Sequence, residues 1–316
     1  MLKKILLFLS LLLILSFVLL LLFVEPKNTT IKSPVPDFLT LLKNKQTSTL
    51  ALWLPALKQK SSSIINEPDI TAKSVIVFDI ETNKVIYSKN PKEKLPMASL
   101  TKIMTAIIAL ENKKVDDRYI VHSTDIVGES SMGIKPGEIF SLEELLYGLI
   151  LYSGNDASET IASNNPKGRI NFIEMMNNKA KALGLEDTNF TNPSGLNGDG
   201  PQHTTAYDLL VMTKYALQNP EFKKIVATPE HVVSATATHG VYELFNETNL
   251  LTTYPGIKGV KTGYTEEAGW CLVSYLEYKG NKLIGVVLNS EKRREEMKEL
   301  LDYSLLTLGI DPPPHE

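Results

Sequence analysis

Hydrophobic positions fall into different patterns along the chain. The first is an unbroken apolar run from Ile5 to Val24, interrupted only by Ser10 and Ser16 and preceded by Lys3 and Lys4. Twenty residues at helical rise span about 30 Å, the thickness of a bilayer's hydrocarbon core. A cleaved secretory signal has a shorter apolar core followed by a small-residue site. Here the first alanine is Ala51, so the run reads as an uncleaved anchor over residues 1–24. The two lysines place its start in the cytoplasm, and therefore the rest of the chain on the extracytoplasmic side of the cell membrane.

Residues 25–71 carry no sustained period. Pro26, Pro34, Pro36, Pro55 and Pro68 lie among Lys, Ser, Thr and Asn, the composition of a linker. One apolar island, Leu50–Leu57, fits a short helix against either the domain or the bilayer, and the pattern does not choose between them. From about Ala72 the pattern is that of a folded domain. Ser74–Phe78 and Lys84–Tyr87 are β-rich runs around a turn-like Asp79–Asn83, which predicts a hairpin. Ile103, Met104, Ile107, Ile108 and Leu110 recur at helical spacing, predicting a helix over 99–110. Further helices are expected at 141–151, 155–163, 169–183 and 204–217, with Gly184 ending the third and Thr204 or Thr205 capping the fourth. Strands are expected at 257–262, 269–278 and 282–289, then an amphipathic helix at 291–307, with 309–316 as a tail. Strands at both ends of the domain predict one mainly antiparallel sheet in a mixed α/β (α+β) fold. Helices 99–110 and 291–307 would cover its faces, and the middle helices would form a subdomain.

Composition narrows the function. Lys and Arg number 33 against 36 Asp and Glu, a net charge of -3, which carries no nucleic-acid footprint. The single cysteine, Cys271, excludes an intrachain disulfide and a Cys-based zinc site, and the histidines show no metal-binding spacing. No cofactor is called for. Cys271 and the aromatic residues Trp270, Tyr275 and Tyr278 read as sheet packing, and His203 as structural.

Three short motifs carry candidate chemistry. In Ser99-Leu100-Thr101-Lys102, positions i and i+3 share a helix face, so the amine can sit beside the hydroxyl. A serine becomes a nucleophile when a base takes its proton, and a desolvated amine can be that base. A capping serine with a solvated lysine fits the same spacing. Ser153-Gly154-Asn155 lies between two helical segments, where a hydroxyl and an amide can face a cleft or merely cap a helix. Lys261-Thr262-Gly263 ends an expected strand, where an ammonium and a hydroxyl can receive a carboxylate, or simply face solvent.

Taken together and in this order, the three motifs resemble those of penicillin-binding proteins and serine β-lactamases. The resemblance is nearest to the low-molecular-mass D-alanyl-D-alanine carboxypeptidases. It extends through Pro96–Ala106, Ser153–Ala157, Asn192-Pro193-Ser194-Gly195-Leu196, His203–Leu209 and Gly259–Thr265, and covers about residues 72–308. It implies a β-lactamase/transpeptidase-like catalytic domain there. It also implies that Ser99 attacks the penultimate D-alanine carbonyl of a peptidoglycan stem pentapeptide, with Lys102 as proton acceptor and Ser153 relaying a proton to the leaving amine. By the same resemblance Asn155 orients Lys102 and the substrate, and Lys261 and Thr262, with Gly263 beside them, bind the terminal carboxylate. The N–H groups of Ser99 and Tyr264 would form an oxyanion hole, with Arg293 near the carboxylate pocket. β-Lactams are the implied inhibitors. A D,D-endopeptidase, a β-lactamase or a silent wall-binding module are the alternatives; Ser-Gly-Asn in place of the class A Ser-Asp-Asn argues against the β-lactamase. Relatives usually carry a cleaved signal and often a C-terminal β-domain, whereas here the tether is N-terminal and Glu316 follows soon after the last expected helix.

Overall fold

A computed structural model describes residues 66–315. The expected anchor over 1–24, the linker up to residue 65 and the Leu50–Leu57 island lie outside the described residues. Among the described residues no helix is long and apolar enough to cross a membrane.

In chain order the strands are β1 (Ser74–Asp79), β2 (Lys84–Lys89), β3 (Tyr119–Ile120), β4 (Ile139–Phe140), β5 (Glu230–Val233), β6 (Tyr242–Phe245), β7 (Ile257–Thr265), β8 (Gly269–Tyr278) and β9 (Asn281–Ser290). The helices are α1 (Lys102–Glu111), α2 (Leu142–Leu151), α3 (Asn155–Ser163), α4 (Gly168–Ala182), α5 (Ala206–Ala216), α6 (Pro220–Val226), α7 (Leu250–Thr253) and α8 (Arg293–Thr307). The expected hairpin and the three late strands join in one antiparallel sheet of order β2-β1-β9-β8-β7. β1 shows no polar alternation because both of its faces are covered. Ile76 and Phe78 enter one apolar cluster, while Val75 and Val77 enter another on the opposite face.

Helix α8 covers the second face through Met297, Leu300, Leu301 and Leu305. The first face is covered by α5 rather than by the helix after Ser99. The reason lies in α1 itself, where every residue from Lys102 to Leu110 is buried. A helix that is apolar all round takes the centre of a layer, and α1 packs among α2, α3, α4 and α5. Its start also differs from the expected one: Ala98–Thr101 is a separate 3-10 turn, and the α-helix begins only at Lys102. Thr205 caps α5 by accepting from the Asp208 N–H at 3.0 Å, and Gly184 follows α4 with φ +72°, as the pattern predicts. Helix α6 is an addition to the expected helices: Asn219 caps it, Pro220 opens it, and Phe222, Ile225 and Val226 share its buried face. The hairpin β5–β6 carries no usable period. In that hairpin Val232 and Phe245 face solvent, which erases the apolar-in, polar-out alternation.

Candidate active site

Ser99 lies on the 3-10 turn directly after Ala98, whose φ of +48° is in the left-handed region that non-glycine residues avoid. Such strain costs on the order of 1–3 kcal/mol and persists only where the surroundings hold it. Here the surroundings press closely. The Thr101 hydroxyl donates to the Ala98 carbonyl at 2.9 Å and accepts from the Gln202 amide at 3.1 Å. Gly195, at φ +91°, packs so tightly that a Cβ there would stand 2.0 Å from the Ala98 oxygen. On strand β7 a Cβ at Gly263 would lie 3.1 Å from the Ser99 nitrogen. Two segments distant in sequence thus clamp the serine's backbone; at Gly195 only glycine allows the approach, and at Gly263 a side chain would be tight.

Lys102 is fully buried, and its Nζ has three oxygen neighbours: Ser99 Oγ at 3.0 Å, Asn155 Oδ1 at 2.7 Å and the Ser194 carbonyl at 2.7 Å. Burial, and secondly the charge on Lys261, hold this amine well below the ordinary lysine range. A neutral amine has two N–H donors and one lone pair. The Asn155 and Ser194 oxygens are carbonyl acceptors and take both donors. The lone pair is left for the one neighbour that can donate, the Ser99 hydroxyl. The partner Ser194 belongs to the Asn192–Leu196 segment, which the sequence marked only as part of a resemblance. Its loop is built by the Asn192 side chain, which accepts from Gly195 N–H at 2.7 Å and donates to the Leu196 carbonyl at 2.7 Å. The Thr105 hydroxyl anchors it by donating to the Pro193 carbonyl at 2.6 Å.

Ser153 and Asn155 sit at the junction of α2 and α3, both buried, with Ser153 itself at φ +58°. The next residue, Asp156, fixes this junction. Its carboxylate accepts from the Ser131 hydroxyl at 2.5 Å and from the backbone N–H groups of Met132, Gly133 and Ile134 at 3.0–3.3 Å. The Asn155 N–H adds a bond to the Ser130 carbonyl at 2.8 Å. The segment over residues 130–134 is therefore tied to the same corner that presents Ser153, although no sequence motif distinguishes it.

Lys261 and Thr262 lie on edge strand β7, both buried. Burial, offset by the Glu247 carboxylate, brings the Lys261 amine down to about 8. The Thr262 hydroxyl donates to Glu247 Oε2 at 3.2 Å. Arg293, the first residue of α8, donates to the Gly263 carbonyl at 2.8 Å, and its guanidinium stacks 4.5 Å from the Trp270 ring centroid. Burial, then the neighbouring Arg294, pull it down to about 10. Trp270 departs from the expected sheet packing: it is half-exposed and lies against Tyr264, its cross-strand partner, at 4.1 Å between centroids. Among the described residues no group of His, Cys, Asp or Glu is placed to hold a metal ion.

Residues 61–292 match the family described as D-alanyl-D-alanine carboxypeptidase. The chain belongs to that family. It is 36% identical over 250 residues to the D-alanyl-D-alanine carboxypeptidase DacF of Bacillus subtilis, covering 76% of this chain and 64% of that one. The chain thus spans slightly under two thirds of that relative's length. A D-alanyl-D-alanine endopeptidase of Pseudomonas aeruginosa is 35% identical over 214 residues, 66% of this chain and 67% of the relative. The crystal structure of a D-alanyl-D-alanine carboxypeptidase from Mycobacterium tuberculosis superposes with a TM-score of 0.73 at 30% identity, covering 82% of this chain and 99% of that one.

Within this D-alanyl-D-alanine carboxypeptidase family member, all three motifs meet at one corner. The Ser99–Lys102 pair is bonded to Asn155 and pressed by Gly263, with the Lys261 charge acting on Lys102. Cys271 pairs with Gly263 across β7 and β8 and its carbonyl accepts from Arg293 at 3.4 Å, but its thiol is buried in β8, where burial pushes it up to about 11. His203 contributes a backbone bridge to Asn189.

Proposed function

We propose that the chain is a serine-type D-Ala-D-Ala carboxypeptidase that removes the terminal D-alanine from peptidoglycan stem pentapeptides. The single observation that carries this reading is the Lys102 amine, buried between two acceptor-only oxygens with its remaining valence toward Ser99. Ser99 Oγ gives its proton to Lys102 and bonds to the carbonyl carbon of the penultimate residue. Ser153 passes a proton to the departing amine, and water then cleaves the ester to regenerate Ser99. Lys261 and Thr262 hold the terminal carboxylate. Arg293 supports them through the Gly263 carbonyl, and the Ser99 and Tyr264 N–H groups receive the oxyanion, each donor worth about 10²–10³ in rate. β-Lactams acylate the same serine. The residues 72–308 form the catalytic domain, held outside the cell membrane by the apolar run at 5–24 through the linker.

Fluorescent penicillin is expected to label the protein covalently, and Ser99→Ala to abolish labelling and D-alanine release from a pentapeptide. Labelling that survives in this variant would remove Ser99 from the mechanism. The likeness to an endopeptidase supports a second reading, cleavage of cross-links by the same machinery. Cross-linked muropeptides consumed faster than pentapeptide would select it.

A further inference from the structure

One charged group at this corner has no part in the acylation scheme. Glu247 follows β6 in the turn Asn246–Asn249, and its backbone N–H donates at 3.1 Å to the carbonyl of Leu151, two residues before Ser153. The turn is held from the other side by the Asn246 amide, which donates to the Thr228 carbonyl at 2.9 Å. Against this fixed backbone the exposed Glu247 side chain reaches strand β7, where Oε2 accepts from the Thr262 hydroxyl at 3.2 Å.

We propose that Glu247 is a specificity-determining residue, an internal carboxylate that competes with the carboxylate of an incoming peptide for the Thr262 hydroxyl and the Lys261 ammonium. The inference rests on the carboxypeptidase reading of Lys261 and Thr262. One hydroxyl proton cannot serve two carboxylates, and two anions at one ammonium repel each other. A peptide ending in a free carboxylate must displace Glu247, whereas a peptide ending in an amide does not meet that repulsion. Glu247 therefore narrows the advantage that the cationic corner gives to anionic chain ends.

The surroundings single out this carboxylate. The charged groups acting on Lys102 are Lys261, Glu247, Asp156 and Glu159, and those acting on Lys261 are Glu247 and Arg293. Asp156 is engaged by the 131–134 segment, and Glu159 by Arg169 at 2.6 Å. Glu247 is the exposed one of the three and the one bonded to a residue of the Lys-Thr-Gly strand. It also favours the charged form of Lys102, so its removal moves the proton acceptor's titration to lower pH.

The test compares Glu247→Gln and Glu247→Ala with the unaltered chain on a diacyl-lysyl-D-Ala-D-Ala tripeptide and on the same tripeptide carrying a C-terminal amide. Glu247 also favours the charged form of Lys261, so KM is compared at a pH well below 8, where both variants are expected to lower KM for the acid by about three- to tenfold. The acid limb of the pH–rate profile should shift downward for both substrates, and above that limb kcat/KM for the amide should stay within about twofold of the unaltered chain. An unchanged or raised KM for the acid, or an equal gain on the amide, would overturn the proposal. Penicillin labelling of the unaltered chain separates the two failures: without it the enzyme reading itself falls, and with it only the role of Glu247 does.

Discussion

At the scale of single residues, the proposed mechanism divides its work between two buried amines. Lys102 acts as a base only when neutral, and Lys261 holds a carboxylate only when charged. Acylation is therefore expected to rise with pH as Lys102 deprotonates, and to fall as pH passes about 8, where Lys261 loses its proton. A pH profile of penicillin acylation checks both limbs. The same depression has a stability cost. A lysine whose pKa is lower folded than unfolded destabilises most at pH below its folded value, and the cost is relieved between about 8 and the ordinary 10.5. At 1.36 kcal/mol per pH unit this amounts to about 3 kcal/mol at neutral pH. Lys261→Met is expected to raise the melting temperature at pH 7 while cutting the second-order acylation constant by about a hundredfold or more. Calorimetry beside penicillin kinetics reads both, and a variant that is both less stable and still reactive would contradict the argument. In sequence these two lysines were visible as members of motifs, but their burial was not, because both motifs also fit solvent-exposed ends of elements.

At the scale of elements, the site depends on backbones that touch. The 3-10 turn carrying Ser99 is shaped by its neighbours, above all by the Gly195 loop, whose Ser194 carbonyl directs Lys102. Gly195→Ala would drive a Cβ into the Ala98 carbonyl and force a left-handed alanine at φ +91°. The loop must retreat and take the Ser194 oxygen with it. The expected result is a loss of about 2–3 kcal/mol in stability and at least about a tenfold drop in acylation. Chemical denaturation and penicillin kinetics measure the pair; unchanged acylation would show that the Ser194 contact does not direct Lys102. The long periodic elements were legible in the sequence. The 3-10 turn, the Asp156 clamp on residues 130–134 and the β5–β6 hairpin were not, since each is made by contacts between distant segments or by strands with one apolar face in solvent.

At the scale of the whole molecule, the sheet brings together the chain's two folded ends, and the path into β1 is pinned to the last helix. The Thr71 N–H and hydroxyl both donate to Glu296 Oε1, at 2.5 and 2.6 Å, while Ser290 holds Oε2 at 2.5 Å. Thr71, three residues before β1, therefore lies beside α8. The proposed tether belongs to this scale. Deleting residues 1–24 is expected to release the protein from the membrane fraction without reducing penicillin acylation of the remaining domain. Sedimentation of the deleted form with membranes would argue against the tether.

Local patterning alone determined the long helices and strands, the expectation that strands at both ends pair in one sheet, and which three motifs could carry chemistry. It could do so because periodicity and motif spacing are properties of neighbouring residues. The tertiary structure decided that Lys102 is buried, that α5 rather than α1 lies on the sheet, and that Ser194, Asp156 and Glu247 join the site. Those outcomes depend on desolvation and on contacts between segments apart in sequence, and no local pattern encodes which distant oxygen will face a given amine.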